Sequence, residues 1–239
     1  MTAVNMVPLD SVKHKDLHVN VDQSYGHVSK QNMVPLLAFE FLQASTNFPI
    51  VFVKQQETGK FKSVALLGLT GEENLIFSEG KIHSNYIPVN VRRYPFAAAG
   101  KNAQESEMVL CIDENSALLN KSEGVKIFEG DGKPSKATQE VSDFLADILA
   151  KDAATDIFIE FLLEHDLLQA AEVKFQLGQE DDLKINGLYK VNEEALNDLP
   201  DEIVLTLYQR QYFAAIYSHL ASLNQFNRLL QIKAGFKPQ

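Results

Sequence analysis

Cysteine is nearly missing from this chain of 239 residues: Cys111 is the only one. A single thiol cannot close an intramolecular disulfide, so the signature of an oxidising compartment is absent. Long apolar runs are missing too, and the uncharged stretches fall well short of the roughly 20 residues that span a bilayer. The first ten residues lack a basic segment followed by an apolar one, so a Sec-type signal peptide is not expected. Basic charge is scarce, with 22 Lys and Arg against 32 Asp and Glu and a net charge of −10. That balance lacks the basic footprint of nonspecific nucleic-acid binding. The expected setting is the cytoplasm, without membrane insertion and without nucleic acid.

What is present is ordinary for a globular protein: 45% apolar and 23% charged residues, in a chain long enough to bury a sizeable core. Collagenous, coiled-coil and disordered classes are excluded. The acidity is uneven. Residues 1–120 carry 10 basic and 12 acidic side chains, whereas residues 121–239 carry 12 and 20.

The first half reads as short strands with one helix. Residues 17–21 alternate apolar and polar, the period-two mark of a half-buried strand. Residues 35–44 fit a short helix begun by Pro35, which a first helical turn tolerates. Residues 50–53 and 61–68 pair as a hairpin around Gly59, residues 74–77 form another strand before a Glu79-Gly80 turn, and 108–112 form a fifth. Cys111 packs there as a small hydrophobe. Residues 97–107, rich in Ala, Gly and polar side chains, read as linker, followed by a turn-rich stretch at 129–134.

The second half changes to helical period. Ser135 or Thr138 can cap a helix in which Val141, Phe144, Leu145, Ile148 and Leu149 recur, and a second set runs from Ile157 to Leu162. A break near Lys151 and one continuous helix are both open. Residues 172–177 and 183–191 read as paired strands joined by the acidic turn at 180–182. Asn192 caps a short helix ended by Pro200, and Asp201 opens another. From 211 to 232 the spacing predicts one long amphipathic helix closed at Gly235. The expectation is an α+β fold: a mostly antiparallel sheet in the first half, then helices with a strand pair. One domain over 1–239 suffices, with sub-lobes at 1–115 and 116–239.

Signals for chemistry are few. Gly59-Lys60, Gly80-Lys81 and Gly132-Lys133 are followed by Phe, Ile and Pro, so none opens a P-loop. Gly130 and Gly132 mark a turn, not a dinucleotide fingerprint. No Gly-x-Ser-x-Gly elbow occurs, and no motif implies a cofactor. His14-x-Asp16 matches the first two ligands of a non-heme iron site, and His219 could be drafted as the third. Against that assignment, His14 reads as solvated on a surface arm, and His219 as half-buried and hydrogen-bonded on a helix.

One segment stands apart. Residues 85–96 hold Arg92 and Arg93, the two arginines of the first half, with Tyr86, Tyr94 and Phe96 around them and prolines that suggest an extended chain. A guanidinium offers a planar fork for carboxylate or phosphate, and tyrosine adds rigid apolar area with a polar tip. Tyr86, Arg92, Arg93, Tyr94 and Phe96 are therefore candidate partner- or ligand-binding residues. The structural alternative has one arginine pairing with an acid of the second half, such as Glu160 or Glu164.

The order Phe48-Pro-Ile-Val51, Ala65-Leu-Leu-Gly68, Asn74-Leu-Ile-Phe77, Tyr86-Ile-Pro88 and Val91-Arg-Arg-Tyr-Pro-Phe96 resembles the bacterial SapC family. Ile127-Phe128, Phe144-Leu145, Leu167-Leu168, Gly187-Leu-Tyr189 and Ser218-His-Leu-Ala-Ser-Leu223 extend the likeness over nearly the whole chain. Asn192 departs from it, standing where an acid is the more usual residue. The resemblance implies a protein encoded near tryptophan-halogenase-like flavoproteins, cupin-like proteins and outer-membrane receptors. It carries no catalytic residues. Together these readings point to a non-catalytic or accessory binding protein whose partner is a protein, such as a flavoprotein, or a small acidic ligand. A non-heme iron oxygenase or other enzyme is the alternative, and a surface-layer subunit the third reading.

Overall fold

Hairpin chemistry dominates the N-terminal stretch. The computed structural model describes residues 4–21, 24–102, 105–175 and 183–235. Strands β1 (Met6–Pro8), β2 (His18–Val19) and β3 (Met33–Pro35) precede a short helical turn at Ala38–Glu40 that leads into α1 (Phe41–Ala44). Strands β4 (Ile50–Lys54) and β5 (Phe61–Leu66) form the expected hairpin, turning at Gly59 with φ +69°. Strands β6 (Phe77–Ser78) and β7 (Lys81–Ile82) turn through Glu79 and Gly80, both at positive φ as a tight hairpin turn requires.

Next come α2 (Val89–Arg92), β8 (Phe96–Asn102), β9 (Glu105–Asp113), β10 (Leu119–Asn120), β11 (Val125–Lys126) and α3 (Lys136–Glu164). The C-terminal stretch supplies β12 (Leu168–Phe175), β13 (Leu183–Val191), α4 (Glu193–Asn197), α5 (Asp201–Gln209), α6 (Tyr212–Ser222) and α7 (Gln225–Lys233). Every named strand pair is antiparallel. The chain is α+β. No helix among the described residues is long and apolar enough to cross a membrane.

Two compact units emerge, and each is assembled from two stretches of sequence. Met1–Ser24 with Val91–Ala150 form the first, and Tyr25–Asn90 with Lys151–Gln239 form the second. This partition does not follow the halves of the sequence.

The first unit contains the sheet β1-β9-β8 and the small sheet β10-β2-β11. Residues 97–102 and 105–107, expected as linker, instead belong to the paired strands β8 and β9, with Ala97 opposite Cys111 and Ala99 opposite Val109. Alanine and glycine are weak strand formers, so the local pattern hid a strand that its apolar neighbour templates. Ile112, Ile127 and Leu145 are buried in this unit, and burial raises the Cys111 thiol pKa. Ser135 is the residue that caps α3: its Oγ accepts the Thr138 N–H at 3.2 Å. Thr138 itself donates to the Ile127 carbonyl at 2.7 Å.

The second unit is built on the sheet β12-β13-β4-β5-β3. Pro35 does not open a helix. It pairs with Val64 at the end of edge strand β3, where a missing N–H is tolerated. The β12–β13 ladder slips between Ala171 and Val173, and Gly187, at φ +77°, occupies the extra position on β13. Phe41, Phe48, Phe52 and Phe158 are fully buried, and Phe41 meets both Phe52 and Phe158 edge-on at 6.3 Å. Asn192 caps α4 as expected, its side chain accepting the Ala195 N–H at 3.3 Å.

The helix predicted over 211–232 is two helices, α6 and α7. Ser222 Oγ accepts the Ile50 N–H at 2.9 Å and donates to the His219 carbonyl, while Asn224 Nδ2 donates to the Ala221 carbonyl at 3.2 Å. Side chains that bond back to the helical carbonyls compete with the ladder and end it there. The long α3 is continuous across Lys151. The acidic turn at 180–182 lies outside the described residues.

Candidate functional site

The segment 85–96 is not uniformly extended. Residues Val89–Arg92 form a helical turn, because the Val89 N–H is drawn to the carboxylate of Glu40. Its residues divide between the two units. In the second unit, Tyr86 donates its hydroxyl to Glu40 Oε1 at 2.7 Å. The same oxygen accepts the Val89 N–H at 2.8 Å, and Oε2 accepts the Leu37 N–H at 3.0 Å. Glu40 is fully buried, so these three donors are what replace water around its carboxylate. Tyr86 therefore supports the helical turn at Ala38–Glu40.

In the first unit, Tyr94 donates to Asp113 Oδ2 at 2.9 Å. Asp113 Oδ1 also accepts the Asn5 N–H at 2.8 Å and the Asn115 N–H at 3.1 Å. Burial, followed by the neighbouring carboxylate, holds the Tyr94 phenol above its usual pKa, against a lowering hydrogen bond with Ser116. Phe96 is buried, and Arg93 is half-buried with its carbonyl accepting the Phe96 N–H. Arg92 is exposed, its guanidinium 5.9 Å from the centre of the Phe144 ring. Of the five residues singled out by sequence, Arg92 is the one whose described contacts leave a charged group facing solvent.

Of the residues of the iron reading, Asp16 is exposed, and both histidines have other engagements. His14 is buried, not solvated: its Nδ1 accepts the Asp10 N–H at 2.9 Å, so Nε2 carries the proton toward Glu114 Oε1 at 2.8 Å. Lys13 pairs with the same oxygen. His219 is fully buried, beyond the half-burial expected: Nε2 accepts the Val191 N–H at 3.0 Å and Nδ1 donates to the Ile50 carbonyl at 2.9 Å. Each imidazole lone pair is thus occupied by a backbone N–H and is not directed at a metal. Burial pushes the His219 pKa down to about 4. Among the described residues, no group of three His, Cys, Asp or Glu side chains could hold a metal ion.

Sequence reasoning missed a groove in the second unit, an opening of about 310 Å³. The turn at Ala38–Glu40 and α1 bring Phe39 and Leu42 to it, α3 brings Lys151 and Phe158, and α6 brings Tyr212 and Ala215. Phe158 and Tyr212 meet edge-on at 4.9 Å. Phe39 and Leu42 remain 44% and 65% exposed, although both are large apolar side chains. Lys151 Nζ stands 4.3 Å from the centre of the Phe39 ring, a cation–π contact. The contributing residues are separated by more than a hundred positions and carry no common motif; the usable signal was Phe39, an aromatic residue beside the buried-facing Glu40.

A family model described as SapC matches residues 9–229. The chain belongs to the SapC family. The match takes in both units and the whole of the groove, so Glu40, Tyr86, Lys151 and Tyr212 all lie within the SapC region. No curated protein and no solved structure matches the chain.

Proposed function

We propose that this SapC protein is a non-catalytic binding protein and that the groove lined by Phe39, Leu42, Lys151 and Tyr212 is its binding site. The observation that carries the reading is an apolar concavity with exposed aromatic and aliphatic side chains and a cation beside them. Pockets that take small ligands are mostly apolar with a few placed polar groups, and this one has that make-up. The groups best suited to acid–base chemistry, His14, His219, Glu40 and Asp113, are buried and each is hydrogen-bonded within the fold. The setting is cytoplasmic on the compositional grounds given above.

The test is a fragment screen read by amide chemical shifts of the whole protein. Perturbations should cluster on Phe39, Leu42, Phe158 and Ala215. Scattered shifts, or none at millimolar fragment, would defeat the reading. Exposed Arg92 is the corresponding candidate for a macromolecular contact, with a tryptophan-halogenase-like flavoprotein as the partner that the family likeness suggests. Binding of such a purified flavoprotein should weaken in Arg92→Ala while the melting temperature holds.

A further inference from the structure

We propose that the outer edge of β8 pairs with the same edge of a second copy of this chain, joining two sheets into one across a two-fold axis. The order β1-β9-β8 leaves one side of β8 without a neighbouring strand among the described residues. Strand edges are normally blunted by brevity, charge, proline or a bulge. Among the described edge strands, β1 has three residues and ends in Pro8, and β3 has three and ends in Pro35. β12 carries Glu172, Lys174 and the slip after Ala171. β8 runs Phe96-Ala-Ala-Ala-Gly100 with none of these, and its Lys101 comes only at the irregularity that follows. Ala97 and Ala98 are half-buried and Ala99 is exposed, so this stretch is open to an approaching strand.

The hydrogen-bond phase of the sheet fixes which backbone groups face out. Asp113 N–H donates to the Pro95 carbonyl at 3.0 Å, so Pro95, Ala97 and Ala99 turn their backbone groups toward β9. Leu9 N–H donates to the Leu110 carbonyl at 2.7 Å, which commits Leu110 to β1 and turns its partner Ala98 outward. Both observations give the same phase: Phe96, Ala98 and Gly100 present their backbone groups to the free side. Phe96 N–H is used by the Arg93 carbonyl at 2.9 Å, whereas the N–H and C=O of Ala98 take no hydrogen bond among the described residues.

Register selects the occupant. A two-fold axis through Ala98 sets Ala98 opposite itself, Ala97 opposite Ala99 and Phe96 opposite Gly100. Each Ala98 then exchanges N–H and C=O with its copy, and each Gly100 N–H reaches the other chain's Phe96 carbonyl, the Phe96 amide being engaged already. The facing run is uncharged, which matters for copies that each carry a net charge of −10, and no bulky side chain opposes another. A strand that is self-complementary in this way makes an isologous, closed dimer and not a growing fibre. The paired run is short, so the dimer belongs at the small, weak end of interfaces and forms as concentration rises.

The experiment is sedimentation velocity and amide hydrogen exchange on the full chain, from micromolar to millimolar concentration. A reversible dimer should appear. The Ala98 and Gly100 amides should exchange more slowly as it forms, while the Ala97 amide, bonded to β9, is slow throughout. Ala98→Pro deletes the outward N–H and spares the β9 ladder. It should raise the dimer Kd at least about tenfold with the melting temperature held. Should Ala98→Pro melt earlier, the decision passes to Ala98→Lys and Ala98→Glu. Each alone should be monomeric and an equimolar mixture should pair, because position 98 faces itself. A chain that stays monomeric at millimolar concentration would overturn the proposal. So would a dimer in which Ala98 exchange is unchanged, or one that Ala98→Lys leaves intact.

Discussion

Among the described residues each unit holds one deeply buried carboxylate, and the two are satisfied in the same way. Glu40 accepts from Tyr86 and two backbone N–H groups, and Asp113 accepts from Tyr94 and two backbone N–H groups. Their positions give the pairs different work. Asp113 ties the end of β9 to the residue preceding β1 and so closes a sheet. Glu40 ties the turn at Ala38–Glu40 to Tyr86 and Val89, and that turn carries Phe39 into the groove. The same chemistry is structural in one unit and positions a candidate site in the other. A buried carboxylate is therefore no guide to function until its surroundings are known.

The sharpest test of this contrast removes the carboxylates. Glu40→Ala removes the shared acceptor of two buried backbone N–H groups and the Tyr86 hydroxyl and should cost about 4 kcal/mol in denaturant unfolding, with groove binding lost. Asp113→Ala should cost about 3 kcal/mol while groove binding survives at temperatures where the variant is folded. Equal loss of binding in both would erase the distinction.

The second test uses protons. His219 has a folded pKa near 4, below its ordinary value of 6.5, because burial disfavours the cation. The unfolded chain therefore binds the proton first, and stability is full above pH 6.5 and falls as pH drops toward 4. The loss across that window should be about 3 kcal/mol. His219→Gln should be less stable at pH 7 but show a flatter profile between pH 6.5 and 4.5. An unchanged slope would mean that the acid sensitivity lies elsewhere.

Smaller effects separate the tyrosines and then the arginines. Tyr86→Phe and Tyr94→Phe should each cost about 1.5–3 kcal/mol, the worth of a hydrogen bond to a charged acceptor. Only Tyr86→Phe should weaken groove ligands, and a matching effect from Tyr94→Phe would break the comparison. Arg92→Ala should shift stability by less than about 0.5 kcal/mol, since the side chain is exposed. Arg93→Ala should cost about 1 kcal/mol or more, since that side chain is half-buried and partnered. Two silent arginines would remove the division of roles that their different burial implies.

The elements with strong local signatures were legible in the sequence. The β4–β5 hairpin announced itself through two apolar runs around Gly59, α3 through its repeating apolar face, and α4 through its Asn192 cap. What escaped depended on distant partners. The β8 strand is alanine-rich and becomes a strand because β9 lies beside it. The α6–α7 break arises where Ser222 turns to Ile50, a residue 172 positions away in sequence. Apolar spacing also overlooked the polar residues His219 and Ser222 on the buried face of α6. The candidate segment 85–96 stood out by composition, yet two of its tyrosine and arginine positions, Tyr86 and Tyr94, proved to be tied to buried acids. The groove draws on residues from 38 to 215, and no local pattern links them.

Because β13 lies between β12 and β4, Phe52 and Val53 meet their partners Tyr189 and Leu188 only after most of the chain has been made. On a ribosome, the stretch up to Ala150 could complete the first unit while the second still held the β4 edge open. Non-local pairing of this kind slows folding and leaves a hydrophobic strand waiting. A nascent chain stalled between those points would therefore present β4 to chaperones, and synthesis rate through 151–190 becomes a determinant of yield.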